Sequence, residues 1–520
     1  MDLRGCLQTL ESQGLLKHVT AEVDRTWEIS AISRWAFLGF PEGDRFALAF
    51  DNVRGHDMPV VAGVIGASYK TYAACLGIDT SQEKEHVIAQ IRQRWARALD
   101  QPLTPKLVSS GPCQENILLG RQIDIHRFPI PVWAPEKDCG WEKGYGYITA
   151  PCHVTRDPDT GITNVGTYRS MVREDPDEIG LSWAGGSHMR SHFLKNEARG
   201  KATEIATVIG GEPSLGMVSV ARVPSSLSEL AVAGGLQGEP IALVKCQTVD
   251  LEVPANAEIV IEGRLPPRGE RPYEAEGPFG EHTGYQGLPS LGPVYEITCI
   301  TYRNMPIYQA FVSQMPPSES SKLRHISEEA LLLWQLRRLE VADIVDVHSI
   351  ESAQSGFIVI SIRKASERDA SRVANTVFAT LRSAKFVVVT DDDIDIQDLS
   401  QVMWAITFKT SLVPTRRNIH FYDNCSAMGL DYSAFDSMER VYRAQAQAGV
   451  LIDATRPFTP YPTTSLPPAK YLEKARGNWT RTGLPPILNS NLPKCILLEE
   501  DYLRKGLAKV PERILPQSVE

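Results

Sequence analysis

The chain has 520 residues, of which 42% are hydrophobic and 22% are charged, and its formal net charge is −9. This length exceeds the size at which one hydrophobic core usually stops growing, so two or three domains are expected. The acidic balance, with a pI near 5.8, provides no basic footprint for nucleic acid or for an anionic membrane. We therefore expect small molecules as partners, together with further copies of the chain in a homodimer or higher homo-oligomer.

The nine cysteines are scattered along the chain, form no CxxC pair and are odd in number, a pattern that favours reduced thiols. Residues 1–5 lack the basic region and apolar core of a secretion signal. No uninterrupted apolar run reaches the ~18 residues that a membrane span requires. These patterns predict a cytoplasmic protein that does not cross a membrane.

Near residue 115 the sequence pattern changes from a mixture of helices and strands to mainly strands. Residues 1–115 mix helical and strand patterns, including an amphipathic helix over 85–95, and predict an N-terminal α/β domain. From 116 to 315, β-rich runs separated by Gly and Pro clusters predict a barrel or sandwich. The clearest of these runs are 241–249, 258–262, 294–303 and 306–313.

Residues 316–520 show a third pattern, in which helical and strand periods alternate. A strand, a helix and a second strand in succession form a βαβ unit, which implies a parallel pair of strands. The region therefore predicts a C-terminal α/β domain. Its last helical stretch, near 497–507, is interpreted as an oligomerisation tail that packs on a neighbouring subunit. The predicted elements are a helix over 326–340, a strand over 357–362, a helix over 366–382 and a strand over 385–390.

The most informative stretch is 276–282, Glu-Gly-Pro-Phe-Gly-Glu-His. Gly277-Pro278 and Gly280 interrupt the backbone strongly, so Glu276 and Glu281 cannot share one helix face, and a rigid loop must aim them. Two carboxylates held at one loop suggest proton chemistry. Without further signals, however, loop carboxylates are more often simply exposed to solvent.

Several other stretches accompany this loop, and together they resemble the UbiD-like family of reversible decarboxylases over most of the chain. The resemblance implies an α/β (α+β) fold, with a central FMN-binding split β-barrel domain at 116–315. That domain would be flanked by an N-terminal α/β domain at 1–115 and a C-terminal α/β domain at 316–520. The matching stretches are 163–171, 187–190, 228–230, 244–255, 276–282, 391–396 and 402–406.

Decarboxylation of an unsaturated or aromatic acid leaves electrons on an sp² carbon, and no side chain can delocalise them. The resemblance implies prenylated FMN as the electron sink, a flavin prenyltransferase that supplies it, and an aryl carboxylic acid as substrate. It also implies that Arg169, Glu276 and Glu281 are catalytic. An arginine lowers the pKa of a neighbouring carboxylate, whereas burial raises that of a free acid.

We interpret Glu281 as the proton donor to the carbon that loses its carboxylate, and Glu276 as the residue that orients Arg169. Arg169 would bind the substrate carboxylate and stabilise the electronics of the oxidised flavin. The alternative is a buried ion pair that only ties a strand to a loop.

The resemblance further implies a divalent manganese or magnesium ion, held by Asn164, His188 and Glu229 against the flavin phosphate. Taken alone, His188 would more often be a structural histidine. A potassium ion would lie nearby, with Ser219 and Ala221 helping Glu229 to hold it. The full set of cofactor contacts is Thr149, Asn164, Gly166, Thr167, Arg169, Ser187, His188, Ser219, Ala221, Glu229 and Lys385.

Arg324 and His325 fall where relatives acting on cinnamate-type acids carry an apolar residue, so they predict a polar substrate pocket unless they face solvent. The leading reading is a non-oxidative decarboxylase, with the reverse carboxylation open, of an aromatic or heteroaromatic acid, phenolic or fused-ring acids being favoured. A second reading is a metal-dependent phosphoryl-transfer or hydrolytic enzyme that uses the acids of 391–395, although the chain has no GxxxxGK[ST] loop. A third is a non-catalytic flavin-binding assembly protein.

Overall fold

The computed structural model divides into two compact units, Met1–Leu331 and Leu332–Glu520, and the boundary falls within one helix, Glu319–Arg338. The predicted tail helix near 497–507 lies outside the described residues, and the domain boundaries at 115 and 315 stay a prediction. The structure describes residues 1–183, 187–381, 383–412, 418–426, 447–456, 465–487, 492 and 494–495.

The first unit contains helices and strands in a mixed order. Its helices are α1 (Leu3–Ser12), α2 (Glu28–Leu38), α3 (Tyr69–Ala74), α4 (Lys84–Asp100), α5 (His188–Glu197), α6 (Pro213–Ser219) and α7 (Glu229–Gln237). Its strands are β1 (Leu16–Val19), β2 (Ala47–Phe50), β3 (Val60–Ala62), β4 (Lys106–Leu107), β5 (Asn116–Leu119), β6 (Tyr147–Ile148), β7 (Cys152–Arg156), β8 (Thr163–Gly166), β9 (Ser170–Val172), β10 (Glu178–Leu181), β11 (Thr203–Ile209), β12 (Ala242–Lys245), β13 (Glu252–Pro254), β14 (Ile259–Leu265), β15 (Glu274–Glu276), β16 (Ser290–Gly292), β17 (Val294–Tyr302) and β18 (Tyr308–Ala310).

The largest sheet of this unit curls into a half-barrel, with the strand order β6-β9-β10-β17-β14-β11-β7-β8, and β5 also pairs with β17. Each of these pairings is antiparallel. Two of the four β-rich runs predicted from the sequence become β14 and β17 of this sheet, and the run 241–249 becomes β12 of a three-stranded sheet with the order β13-β12-β4. The fourth, 306–313, supplies β18, which joins another sheet. The predicted β-rich centre is therefore confirmed.

The N-terminal residues build a second sheet, with the order β1-β2-β3-β18. Helix α4 covers the amphipathic segment predicted at 85–95, and it buries Val87, Ile91, Trp95 and Ala98. This spacing of four, four and three residues keeps one face of the helix apolar. A single hydrophobic core includes side chains from both sheets, such as Phe50 of β2 and Tyr295 of β17. The shared core explains why the N-terminal and central regions form one compact unit.

The second unit is an α/β layer. After α8 (Glu319–Arg338) it contains β19 (Asp343–Ile350), β20 (Gln354–Arg363), α9 (Asp369–Thr380), β21 (Phe386–Asp391), α10 (Leu399–Lys409), β22 (Ile419–Ser426), β23 (Gln447–Ala454) and α11 (Ala469–Gly477). The sheet order is β19-β20-β21-β23-β22, and β20 and β21 pair in parallel across α9. The predicted βαβ unit is confirmed.

Both faces of this sheet are covered. One core contains Ile358 and Val387 with Val373 of α9, and the other contains Val359 and Val388 with residues of α10. Successive strand residues point to opposite faces, so the continuous apolar runs of β20 and β21 suit a sheet with helices on both sides.

One sequence expectation is wrong. Cys6 of α1 and Cys75 at the end of α3 are joined by a disulfide, so the thiols are not all reduced. Their Cα atoms lie 5.2 Å apart, within the usual range for a disulfide, although 69 residues separate them in sequence. Long-range pairs of this kind leave no local motif. Among the helices of the described residues, none has the length and apolar character needed to cross a membrane.

Candidate active site

The loop between β15 and β16 carries both carboxylates of the Glu-Gly-Pro-Phe-Gly-Glu-His stretch. β15 ends at Glu276 and pairs with β16, and Gly277 follows with a φ of 86°, a conformation that favours glycine. The loop then folds back on itself, because Gly280 pairs with Gln286 and the Glu281 N–H donates to the Tyr285 carbonyl at 2.8 Å. The backbone therefore holds Glu276 and Glu281 at one site, as the sequence predicts.

Arg169 lies directly before β9 and joins the two carboxylates. Its Nε donates to Glu276 Oε1 at 2.9 Å and its Nη2 to Glu276 Oε2 at 2.6 Å, which is the bidentate arrangement that makes such pairs strong. Its Nη1 donates to Glu281. Burial alone would lower the pKa of Arg169, but the neighbouring Glu281 and Glu276 carboxylates raise it. The guanidinium is therefore a permanent cation shared by two acids.

The two acids have different environments. The Glu276 side chain is 1% exposed and receives both parallel bonds of the arginine, whereas that of Glu281 is 20% exposed and receives one. Burial raises the pKa of Glu281, with the Glu276 charge adding to the effect and the Arg169 charge opposing it. The geometry thus separates Glu276, which is buried and held by two parallel bonds, from Glu281, which is more exposed and whose pKa is raised by burial.

A second basic side chain, besides Arg169, acts on Glu281. The charge of Arg324, on α8, acts on both Glu281 and His282. Burial lowers the pKa of Arg324, and its Nε is buried without a hydrogen-bond partner. Burial, together with Arg324 and Arg222, lowers the pKa of His282 to about 3, so the imidazole is neutral at pH 7.

His325 does not share this environment. Its Nε2 lies 2.8 Å from Glu329 Oε1, one helical turn further along α8. Successive residues of a helix point about 100° apart, which explains why Arg324 and its neighbour have different partners. The structure therefore places Arg324 close to the predicted catalytic residues and pairs His325 with Glu329 along the helix.

The three predicted metal ligands also converge. Asn164 lies in β8, while His188 and Glu229 begin α5 and α7. Asn164 Oδ1 lies 3.0 Å from His188 Nδ1, and Glu229 Oε1 lies 3.9 Å from the same nitrogen. Burial raises the pKa of Glu229 to about 7. One amide oxygen, one imidazole nitrogen and one carboxylate oxygen within this span form a donor set that suits manganese or magnesium.

Four of the other predicted cofactor residues lie beside this cluster or connect the strands around it. Thr167 and Ser219 pair through their hydroxyls at 2.7 Å and through the Thr167 N–H and the Ser219 carbonyl at 3.0 Å. The Thr149 hydroxyl donates to the Phe311 carbonyl at 2.9 Å. A Cβ at Gly166 would lie 2.7 Å from the Tyr168 ring, so only glycine fits there without a shift.

The remaining three differ in position. Ser187 is the N-cap of α5 and accepts the Arg190 N–H at 3.4 Å. Ala221 follows α6, and its N–H donates to the Val218 carbonyl. Lys385 lies directly before β21 in the second unit, and its assignment as a cofactor contact stays a prediction.

Sequence reasoning did not single out Tyr168 or Arg222. The Tyr168 hydroxyl interacts with Ser187, Asn164 and the Met189 N–H, the surroundings of the candidate metal ligands. Its position between Thr167 and Arg169, in a matching stretch, was a usable signal. Arg222 lies in an exposed loop after α6, and nothing in the sequence around it marks it.

The acidic run of the second unit has a different arrangement. Lys409 Nζ, fully buried, lies 3.1 Å from Asp391 Oδ2 and 2.6 Å from Asp393 Oδ1. Arg456 pairs with Asp393, and its backbone N–H donates to Asp391 at 2.8 Å. Two cations therefore neutralise the two acids, which is the arrangement of a structural ion cluster rather than of a phosphoryl-transfer metal site.

Comparison with known proteins identifies family models and relatives that match most of the chain. Three family models of 3-octaprenyl-4-hydroxybenzoate carboxy-lyase match in chain order: the N-terminal domain at residues 7–91, the Rift-related domain at 106–316 and the C-terminal domain at 322–454. An uncharacterized protein of Archaeoglobus fulgidus is 33% identical over 450 residues, which cover 84% of this chain and 89% of that protein.

Two solved enzymes share the fold. The UbiD-class enzyme HmfF from Pelotomaculum thermopropionicum, solved with FMN, is 32% identical and has a TM-score of 0.76, with 91% of this chain and 98% of that chain covered. An evolved dimeric form of it was solved with prFMN, at 34% identity and a TM-score of 0.73, with 90% and 97% covered. The closed form of vanillic acid decarboxylase from Sedimentibacter hydroxybenzoicus is 29% identical, with a TM-score of 0.81 and coverage of 93% and 99%.

The matches extend over the N-terminal, central and C-terminal regions, and they confirm the UbiD-like fold class predicted from the sequence. Enzymes of this class are decarboxylases, and the flavin complexes of HmfF support a carboxy-lyase here. The chain belongs to the UbiD family of carboxy-lyases.

Proposed function

We propose that this chain is a non-oxidative decarboxylase of an aromatic or heteroaromatic carboxylic acid, phenolic and fused-ring acids included, and that it uses prenylated FMN. The reaction replaces the carboxylate of the ring by a proton and releases carbon dioxide. The observation that carries the proposal is the cluster in which one guanidinium, Arg169, holds the buried Glu276 and the more exposed Glu281 together.

Each residue of the cluster has a separate task. Arg169, locked by Glu276, is a cation with a fixed direction, and it binds the carboxylate of the incoming acid. Burial raises the pKa of Glu281, which favours its protonated form, and Glu281 delivers a proton to the ring carbon that has lost its carboxylate. The neutral His282 adds no competing charge. The same residues serve the reverse carboxylation, since an acid that donates a proton also accepts one.

The residues present fit the proposed cofactor. Asn164, His188 and Glu229 would hold a divalent ion, manganese or magnesium, against the flavin phosphate. Further contacts with the flavin would come from Gly166, Thr167, Ser187 and Ser219. Ser219 and Ala221, with Glu229, would hold a potassium ion nearby. Thr149 and Lys385 are the further contacts that we propose. Bound prenylated FMN would supply the electron sink that the side chains of this site lack.

Arg324 narrows the substrate class. Its Nε is buried without a hydrogen-bond partner, and its charge lies beside Glu281. Arg324 would therefore bind an acid that carries a hydroxyl, a ring nitrogen or a second carboxylate away from the reacting group. A buried polar group left without a partner costs ~1–3 kcal/mol, so apolar acids would bind less well. His325 pairs with Glu329 along α8, and we therefore assign the polar contact with the substrate to Arg324 rather than to His325.

We further infer that the enzyme is cytoplasmic, that a flavin prenyltransferase supplies its cofactor, and that it forms a homodimer or a larger homo-oligomer. The dimeric form of HmfF supports the last point by analogy.

The test is reconstitution. The full chain, coexpressed with a flavin prenyltransferase, is incubated with a panel of hydroxylated, nitrogen-containing and apolar aryl acids, and carbon dioxide release is measured. We expect release from polar aryl acids, and none from the same protein loaded with unmodified FMN. Release that is equal with both flavins, or absent across the whole panel, would contradict the proposal.

A further inference from the structure

Asp138 is a buried acid that the proposed chemistry does not use. Its side chain is almost fully enclosed, with the residue 2% exposed. Its Oδ2 accepts the Ala134 N–H at 2.8 Å, and its Oδ1 accepts the side-chain amides of Gln286 at 3.3 Å and Gln314 at 3.4 Å. The carboxylate thus joins three segments of the first unit that are distant in sequence.

Asp138 has two contacts with the loop that carries Glu281, one to Gln286 and one to Gly280. Gln286 pairs with Gly280 across the loop, and the Gly280 N–H also interacts with the Asp138 carboxylate. The next residue adds another tie, because the Cys139 N–H donates to the Pro278 carbonyl at 3.0 Å. Hydrogen bonds therefore hold the loop at Pro278 and at Gly280, the residues on either side of Phe279, and Gly280 directly precedes Glu281.

The third segment is packed as closely. A Cβ at Gly280 would lie 2.7 Å from Cδ of Gln314, so the loop backbone rests against the side chain that also donates to Asp138. Gln314 itself has a φ of 73°, which shows that this segment too is held in an uncommon conformation. Movement of either segment would break contacts with Asp138.

The chemistry of the acceptor matters. All these partners are amide N–H groups, and a carboxylate is the one side chain that accepts at both oxygens. A carboxamide of the same shape has an NH₂ group in place of one oxygen, and that group would face N–H donors without accepting a hydrogen bond from them. Burial raises the pKa of Asp138 to about 6, and the backbone and side-chain amides oppose that rise. At neutral pH the group therefore accepts as the anion.

We propose that Asp138 is a positioning residue for Glu281: its carboxylate fixes the loop at Gly280 and Gln286 so that Glu281 meets Arg169. The inference rests on the proposed role of Glu281 as proton donor. The amides that donate to Asp138 belong to Ala134, Gly280, Gln286 and Gln314. These residues are neither members of the Arg169 cluster nor candidate metal ligands.

The first experiment does not depend on activity. Asp138→Asn is compared with Glu136→Gln, which changes an exposed acid of the same segment, in the full-length, FMN-loaded protein. Amide hydrogen exchange is measured for peptides covering 279–287. We expect exchange at least tenfold faster in Asp138→Asn and unchanged exchange in Glu136→Gln. Equal exchange in wild type and Asp138→Asn overturns the proposal.

The second experiment separates positioning from general stability. For the prenylated-FMN enzyme, Asp138→Asn should lower kcat on the order of 10- to 100-fold, the scale of a misplaced catalytic group, with KM and flavin content within about twofold. The basic limb of the kcat–pH profile should move to lower pH, because a looser Glu281 is more exposed to water and loses the burial that raises its pKa. A fall in kcat that merely follows a loss of flavin, with the limb unmoved, overturns the positioning role.

Gln286→Ala provides the second variant if Asp138→Asn does not fold. It removes one donor and leaves the carboxylate, so we expect the same faster exchange and a smaller fall in kcat. Unchanged exchange and kcat in Gln286→Ala would contradict the proposal. Failure of the proposed function gives a different result: the Glu281→Gln variant would keep the turnover of the wild type.

Discussion

Two of the clusters of buried acids and cations among the described residues differ in the number of cations that pair directly with the acids and in access to solvent. In the first unit one guanidinium, Arg169, faces two carboxylates, and one of those, Glu281, is partly exposed. In the second unit Lys409 and Arg456 face Asp391 and Asp393, and the Lys409 side chain is fully buried. A surplus acid with access suits proton transfer, whereas a balanced and enclosed cluster suits structural support.

The largest expected effect is on turnover. Glu281→Gln removes the proton of the surplus acid while keeping its shape, and a placed acid typically contributes ~10²–10⁴-fold to rate. We therefore expect kcat to fall by that factor with flavin content unchanged. The measurement is carbon dioxide release per bound flavin. Near-normal turnover in this variant would contradict the assignment of proton transfer to the first cluster.

The opposite behaviour is expected in the second cluster. Asp393→Asn leaves Lys409 buried with one partner fewer, and breaking a buried pair costs about 3 kcal/mol of the free energy of unfolding. Turnover per folded molecule should not change. Urea unfolding followed by fluorescence gives the free energy.

Asp392→Asn is the matched control for that variant. Asp392 pairs at 3.2 Å with Arg363, whose side chain is 62% exposed, and pairs of this kind contribute less than about 1 kcal/mol. If Asp393→Asn were no more destabilising than Asp392→Asn, the structural reading of the cluster would be wrong.

The candidate metal ligands predict a third effect. His188→Ala removes one ligand, and losses around a metal site typically cost ~10–100-fold in affinity. We expect less flavin and less metal per protomer after gel filtration than in Glu276→Gln, which disturbs Arg169 alone. Equal retention of flavin in the two variants would show that His188 does not support the phosphate.

Specificity provides a smaller effect. Arg324→Ile should shift preference from a hydroxylated or nitrogen-containing aryl acid toward its apolar analogue by roughly five- to hundred-fold, the value of one unpaired buried polar group. His325→Leu is the control, because His325 pairs with Glu329. The ratio of kcat/KM for the two acids is measured. An unchanged ratio in Arg324→Ile would place that side chain outside the pocket.

The smallest effect concerns pH. The pKa of Glu281 is raised by burial above the ~4.3 of a free glutamate. Its contribution to the free energy of unfolding is therefore fully present below about pH 4.3 and lost as pH rises through the folded pKa. Relative to Glu281→Gln, wild-type apoprotein should lose stability, measured by urea unfolding, as the pH rises above about 4.3. A relative gain would mean that Arg169 lowers this pKa instead.

The sequence predicted the fold and the local motifs well, for physical reasons. The β-rich runs between Gly and Pro clusters, such as that of β14, and the alternation of strand and helix from β20 to β21 depend on local patterns that are present in the structure. The Glu276–Glu281 loop was also visible, because Gly and Pro mark it. Arg169 and the three candidate metal ligands were identified by resemblance, since their spacing in sequence forms no local motif.

Contacts between distant segments were not accessible in the same way. The Cys6–Cys75 disulfide joins residues 69 positions apart. Asp138 is an ordinary loop acid in the sequence, and its grip on Gly280 and Gln286 depends on the tertiary fold. The two neighbouring residues Arg324 and His325 were indistinguishable until the helix gave each its own direction. Such features need the packed structure.

The central claim, that Glu281 moves a proton at the carbon that carries the carboxylate, is tested most directly by hydrogen exchange into the product. The decarboxylated aryl product of an accepted acid is incubated with prenylated-FMN enzyme in D₂O, and deuterium at that carbon is followed by NMR, which isolates proton transfer from carbon dioxide loss. The account predicts exchange catalysed by wild type and by Asp393→Asn, and exchange at least ~100-fold slower in Glu281→Gln with equal flavin. Exchange at the wild-type rate in Glu281→Gln would contradict it.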